Sequence, residues 1–133
     1  MAVQNPYQSY QQNSVNTASP GELTLMLYNG CLKFVHQAKK AIEDKNIEAR
    51  NINIQKASKI ITELMVTLNQ ELEITKQILP LYDFMNRRLI EANLKNDLTA
   101  LSEVEDLLVD FRDTWKQVIQ LNRQKQFAKG GQA

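Results

Sequence analysis

The chain has 133 residues, 43% of them hydrophobic and 23% charged, which fits one globular domain with a sizeable core. Sixteen Lys and Arg balance fifteen Asp and Glu to a net charge of +1, which argues against nucleic acid as a partner, because phosphate binding requires a basic excess or stripe. The sequence has neither a signal segment nor an apolar run that could span a bilayer, so we expect a cytoplasmic protein without membrane insertion.

Residues 1–18 differ in composition from the rest of the chain. They carry no charged side chain and are dominated by Gln, Asn, Ser and Thr. This composition predicts a mobile amino-terminal arm, on which Pro6, Tyr7, Tyr10 and Val15 are apolar points of attachment.

The first helix has a clear start signal. Ser19 and Glu22 form a capping box, and Pro20 suits the first helical position. We expect this helix to end near Asp44. Its predicted inward face, at helical spacing, consists of Leu27, Tyr28, Cys31, Leu32, Phe34, Val35, Ala38, Ala41 and Ile42.

A second helix is predicted from the capping residue Asn46 to about Asn69. Its inward positions are Ile47, Ile54, Ala57, Ile61, Leu64 and Leu68. The stretch 70–79 is ambiguous between a loop and a helical turn. Pro80 is predicted to begin a third helix rather than lie inside one. That helix carries Leu81, Tyr82, Met85, Leu89 and Ala92, and it frays around residues 95–96.

The fourth helix is the clearest of the set. Asp97 caps it, and apolar residues then recur at alternating steps of three and four, at Leu101, Val104, Leu108, Phe111, Trp115 and Val118. We therefore predict an all-α fold, an antiparallel four-helix bundle with a mobile amino-terminal arm. Its predicted parts are an arm at 1–18, the bundle at 19–126 and a disordered tail at 127–133.

The sequence offers little for catalysis or metal binding. One Cys and one His cannot build a zinc site. A di-metal carboxylate bundle needs Glu-x-x-His, but Lys33 stands three residues before His36. No glycine-rich phosphate loop is present. We expect a protein that is not an enzyme and has no cofactor and no metal.

His36 supports one alternative, a histidine phosphotransfer bundle. Such bundles expose a His that is followed by Lys at the third position and Gly at the fourth. Lys39 matches this pattern, whereas Lys40 stands in place of the Gly. His36 lies at the edge of the inward face, a position that is compatible with the partly exposed ring that phosphotransfer requires.

Six apolar residues lie off the predicted helix interfaces. They either complete the core or line grooves that receive an amphipathic partner helix. These candidate binding residues are Met26, Ile52, Val66, Phe84, Ile90 and Leu94. A general helical adaptor protein is the second alternative that this pattern leaves open.

Several strings of the chain are distinctive in content and order. They are Asn5-Pro6-Tyr7, Thr17-Ala18-Ser19-Pro20-Gly21-Glu22-Leu23, Gly30-Cys31-Leu32-Lys33-Phe34, Glu91-Ala92-Asn93-Leu94-Lys95-Asn96-Asp97 and Phe111-Arg112-Asp113-Thr114-Trp115-Lys116. On these strings, and over nearly its whole length, the chain resembles the flagellar secretion chaperone FliS family, particularly its Bacillus-type members.

The resemblance implies a bundle that binds the carboxyl-terminal segment of flagellin. In the family that segment is disordered until it folds into helices on the chaperone, which prevents premature polymerisation. The family then delivers flagellin to the cytoplasmic domain of FlhA in the type III export gate. In the family the amino-terminal arm packs on the empty bundle as a lid and is displaced by cargo. The resemblance therefore assigns the lid contact and the export-gate contact to Tyr7 and Tyr10. A weak homodimer is left open.

Overall fold

The computed structural model describes residues 20–69 and 71–131, and the side chains of residues 21–69 and 71–125. The described chain forms four helices: α1 (Pro20–Glu43), α2 (Ile47–Thr67), α3 (Glu73–Lys95) and α4 (Leu98–Gly131). Short connections at 44–46, 68–72 and 96–97 make successive helices antiparallel, and each helix packs against the two beside it. The predicted four-helix bundle is confirmed.

The predicted boundaries at the two ends of the chain have different outcomes. The arm at 1–18, with Tyr7 and Tyr10, lies outside the described residues. Helix α4 extends to Gly131, beyond the predicted end of the bundle at 126. The division into arm, bundle and tail therefore stays a prediction.

Two of the predicted caps are present as hydrogen bonds. The Asn46 side chain accepts a hydrogen bond from the Ala49 backbone N–H at 3.0 Å, and the Asp97 carboxylate accepts one from Ala100 at 3.1 Å. Each cap satisfies one of the free N–H groups in the first turn of a helix. Lys45 and Asn96, the residues just before these caps, have φ values of 56° and 54°. The left-handed conformation lets the chain reverse direction within a few residues.

The core fills the space between all four helices, largely as the apolar spacing predicts. The predicted inward residues of α1 are buried, apart from the half-buried Ile42. Two predictions were wrong: Ile47 at the start of α2 and Leu81 in α3 are exposed. Ile60 was not predicted to be inward and is fully buried. Its Cδ1 lies 3.5 Å from a Cβ built on Gly30, an ordinary van der Waals distance, so Ile60 packs beside Gly30 where α1 meets α2.

The start of α3 corrects the prediction for Pro80. The helix begins at Glu73, so Pro80 lies inside it. An interior proline removes a backbone hydrogen bond and disfavours a helix by about 3 kcal/mol relative to alanine. Tertiary packing outweighs this local cost: Thr75 is buried with its hydroxyl donating to the Asn69 carbonyl oxygen, and Ile78 packs against the core.

Cys31 behaves as the predicted core residue. It is fully buried, and its thiol donates to the Ala57 carbonyl oxygen at 3.5 Å. Burial raises the pKa of the thiol well above its ordinary value, because the thiolate would be desolvated. A neutral, enclosed thiol packs α1 against α2.

An aromatic cluster joins three helices. The buried hydroxyls of Tyr28 (α1) and Tyr82 (α3) are hydrogen-bonded to each other. Phe111 of α4 stacks on Tyr28 with ring centroids 6.1 Å apart and meets Tyr82 at 5.5 Å. Further along α4, the Trp115 indole N–H donates to the Gly21 carbonyl oxygen at 2.7 Å. These contacts hold α3 and α4 against the beginning of α1.

Candidate partner-binding site

A groove of about 350 Å³ separates the outer edges of α2 and α3. Ile90 and Leu94, two of the predicted binding residues, line its α3 side and are 55% and 78% exposed. Its full lining is Ile54, Gln55, Ser58, Lys59, Thr62, Leu89, Ile90, Asn93 and Leu94. We call this feature the α2–α3 groove.

The interface between α2 and α3 is apolar at the floor of the groove and polar where side chains connect the two helices. Ile54 and Leu89 belong to the buried core and form the floor. Polar side chains then connect the helices: Asn93 donates to Asn51 at 2.8 Å, and Ser58 donates to Asn86 at 2.9 Å. Paired amides and hydroxyls hold the helices in register without filling the outer space.

Ile52 and Val66 extend the apolar surface along α2. They are 41% and 78% exposed, and each lies seven residues from Lys59, which lines the groove. Seven residues are close to two helical turns, so the three side chains lie nearly on one line of α2. This line runs beside the groove and carries an apolar residue at either end.

Met26 and Phe84, the other two predicted groove residues, are not brought into the groove. Both are half-buried, and Met26 is on α1, which does not border the groove. Phe84 lies one helical turn before Arg88, whose guanidinium pairs with Glu103 of α4 at 2.8 Å. Helical spacing therefore places Phe84 on the α4 side of α3.

Sequence reasoning missed the polar residues of the groove, chiefly Ser58, Lys59, Thr62 and Asn93. A heptad search of the second helix could have found Lys59, because it lies midway between Ile52 and Val66. The others follow only from the relative placement of α2 and α3.

His36 has a partner that bears on the phosphotransfer alternative. Its ring is 61% exposed, and Nε2 lies 2.8 Å from a Glu105 carboxylate oxygen, which also lies 3.5 Å from the Lys39 ammonium. A carboxylate at the ring nitrogen stands where an incoming phosphoryl group would place further negative charge, and like charges repel. This contact disfavours phosphotransfer at His36.

In the part of the chain that the structure describes, no three His, Cys, Asp or Glu side chains come together in a way that could hold a metal ion. None of the described helices has the length and apolar character required to cross a bilayer. A second depression, of about 360 Å³ and lined by Ala41, Ile42, Lys45, Asn46, Ile47 and Asn96, contains none of the predicted site residues.

Comparison with known sequences gives a match over most of the chain. Residues 3–122 match the family model described as Flagellar protein FliS. The Flagellar secretion chaperone FliS of Bacillus subtilis (strain 168) is 56% identical over 131 residues, covering 98% of each chain. The Flagellar secretion chaperone FliS of Escherichia coli (strain K12) is 37% identical over 109 residues, covering 80% of each chain.

A solved structure has the same fold. A crystal structure described as that of a flagellar chaperone from bacteria superposes with a TM-score of 0.72, covering 86% of this chain and 94% of the other. The two sequences are 18% identical, so this likeness concerns the helical bundle alone.

Proposed function

Since the chain belongs to the FliS family of flagellar secretion chaperones, we propose that it binds the carboxyl-terminal segment of flagellin in the cytoplasm. The bound segment is kept from premature polymerisation and is delivered to the cytoplasmic domain of FlhA in the flagellar type III export gate. The family is one of chaperones rather than enzymes. The observation that carries the binding proposal is the exposed apolar lining of the α2–α3 groove.

The exposed apolar area is large enough to matter for binding. Covering the exposed parts of Ile52, Val66, Ile90 and Leu94 would contribute about 4–8 kcal/mol, at roughly 1.5–3 kcal/mol for each fully buried side chain. Ordering a disordered segment costs about 2–5 kcal/mol. The groove, together with Ile52 and Val66 beside it, can therefore offset the cost of folding one cargo helix, and an amphipathic helix presents the matching apolar stripe.

Ile90→Asp tests the groove, with Ile74→Asp as the matched control. The two isoleucines lie on α3 and are similarly exposed, at 55% and 51%, but Ile74 does not line the groove. A carboxylate at position 90 would be desolvated beneath the cargo helix, so we expect at least about tenfold weaker binding. Isothermal titration calorimetry with a flagellin carboxyl-terminal fragment measures the affinity, and wild-type binding should show a strongly negative heat-capacity change.

Three results are distinguishable in this experiment. Weaker binding by Ile90→Asp alone supports the groove as the binding site. Equal affinities of the two variants would move the cargo site elsewhere on the bundle. A wild-type protein that does not bind the fragment, or binds unrelated amphipathic helices equally well, would contradict the flagellin proposal and leave the general adaptor.

The arm at 1–18 is proposed to act in lid and export-gate contacts, through Tyr7 and Tyr10. We expect Tyr7→Ala combined with Tyr10→Ala to lower flagellin secretion severalfold while the bundle stays folded. Secreted and cellular flagellin are measured by immunoblot, and folding by far-ultraviolet circular dichroism. Tyr7→Phe with Tyr10→Phe is the matched control, because it keeps both rings. Unchanged secretion by the alanine variant would remove these tyrosines from the proposed site.

A further inference from the structure

Lys59 is the charged residue in the lining of the α2–α3 groove. The other eight lining side chains are neutral. Within residues 21–69 and 71–125, no carboxylate lies within ion-pair distance of the Lys59 ammonium group. Glu63, one turn further along α2, is among the carboxylates that do not reach it. The described groove therefore presents a positive charge without an internal counter-charge.

The opposite wall of the groove does not supply an acceptor either. Its lining residues on α3 are Leu89, Ile90, Asn93 and Leu94, and the Asn93 side chain is hydrogen-bonded to Asn51 and Arg50. The Asp83 carboxylate, about two turns before Ile90 on α3, pairs with Arg87 at 3.1 Å. Among the described residues the Lys59 ammonium has neither a hydrogen-bond acceptor nor an ion-pair partner, which leaves this place to water or to an occupant of the groove.

The position of Lys59 on α2 would bring its charge close to a helix bound in the groove. It lies between Ile52 and Val66 on one line of α2, with Ile90 and Leu94 across the groove. A helix lying along these apolar residues passes over the ammonium group and removes part of its water. Partial desolvation of a charge is unfavourable unless a group of opposite charge replaces the water.

We propose that Lys59 is a specificity-determining residue of the α2–α3 groove. It selects an amphipathic helix whose apolar stripe is bordered by an aspartate or glutamate, and it disfavours a helix with a basic residue at that place. This inference rests on the proposed function, because it takes the flagellin carboxyl-terminal segment as the occupant. It adds the chemistry by which the groove distinguishes that segment from other apolar helices.

Lys59→Glu tests the proposal, with Lys40→Glu as the matched control. Lys40 is exposed on α1, away from the groove, and its replacement changes the net charge equally. We expect Lys59→Glu to weaken binding of the flagellin carboxyl-terminal fragment about three- to tenfold at low salt. Lys40→Glu should stay within about twofold of wild type. Lys59→Met, which keeps the apolar stem, should lie between Lys59→Glu and wild type.

A second fragment identifies the charge on the partner. Its aspartates and glutamates are replaced by asparagine and glutamine. We expect wild type to bind this fragment about three- to tenfold more weakly, and Lys59→Glu to cause little further loss on it. Such coupling assigns the interaction to Lys59 and a cargo carboxylate.

The outcomes separate the two proposals. Wild-type affinity in Lys59→Glu would mean that the lysine extends into solvent, and equal losses in both lysine variants would mean a long-range charge effect. Either result overturns the selective role of Lys59 and leaves the groove as the binding site. Absence of wild-type binding would contradict the proposed function itself.

Discussion

Leu89→Ala is expected to lower the free energy of unfolding by about 2–5 kcal/mol, the range for truncating a fully buried leucine. Leu89 has no solvent exposure and belongs to the core beneath α3, while it also forms part of the groove floor. Truncation removes apolar contacts and leaves a cavity between α3 and its neighbours, which a packed bundle closes only in part. Urea unfolding followed by circular dichroism measures the loss.

Leu94→Ala is the matched control for this prediction. The chemical change is the same, the residue is on the same helix and it lines the same groove, but it is 78% exposed. We expect its free energy of unfolding to stay within about 0.5 kcal/mol of wild type. Equal destabilisation by the two variants would contradict the burial that distinguishes them.

Leu89 and Leu94 have different roles on α3. Leu89 holds the helix on the bundle, and Leu94 presents apolar surface on its outer side. Under the proposed function, we expect Leu94→Ala to lower the affinity for flagellin without unfolding the protein. A groove of this kind needs a floor that is stable without cargo, because otherwise binding would have to offset the folding of α3 as well.

The helices could be predicted from sequence wherever their signals are local. Asn46 and Asp97 cap their helices because each side chain satisfies a backbone N–H only three residues away. Pro80 led to a wrong predicted start for α3, because the helix before Pro80 is stabilised by contacts with residues that are distant in sequence. The burial of Thr75 and Ile78 depends on the placement of other helices, which local rules do not contain.

The candidate site was partly predictable for a related reason. Helical periodicity shows which residues are off the main interfaces, and it correctly placed Ile90 and Leu94 outside the core. It does not show which helix stands beside a given face. Phe84 therefore appeared equivalent to Ile90 in sequence, although Phe84 lies on the α4 side of α3 and Ile90 on the α2 side. The paired polar residues that keep the groove open are likewise visible only in three dimensions.

The buried hydroxyl groups of Tyr28 and Tyr82 are the basis of a second prediction about the free energy of unfolding. Each hydroxyl finds its partner in the other, between α1 and α3. Burial raises the pKa of both phenols, because the phenolate would be desolvated, and for Tyr82 the neighbouring Tyr28 raises the pKa further. The pair is therefore neutral in the folded protein and depends on its mutual hydrogen bond.

Tyr28→Phe and Tyr82→Phe should each lower the free energy of unfolding by about 1–3 kcal/mol, because each leaves one buried hydroxyl without a partner. The double variant removes both hydroxyls and should be more stable than either single variant. The four proteins form a double-mutant cycle measured by urea unfolding. Additive losses would contradict a hydrogen bond shared by the two tyrosines.

The same pair predicts a dependence on alkaline pH. Because the folded pKa of each phenol lies above its unfolded value of about 10, the stabilisation from the pair is fully present below pH ~10. It is lost as the pH rises towards the folded pKa, since only the unfolded chain releases these protons readily. The wild-type free energy of unfolding should therefore fall more steeply above pH ~10 than that of the Tyr28→Phe, Tyr82→Phe double variant. Parallel pH profiles for the two proteins would show that these phenols titrate alike in the folded and unfolded states.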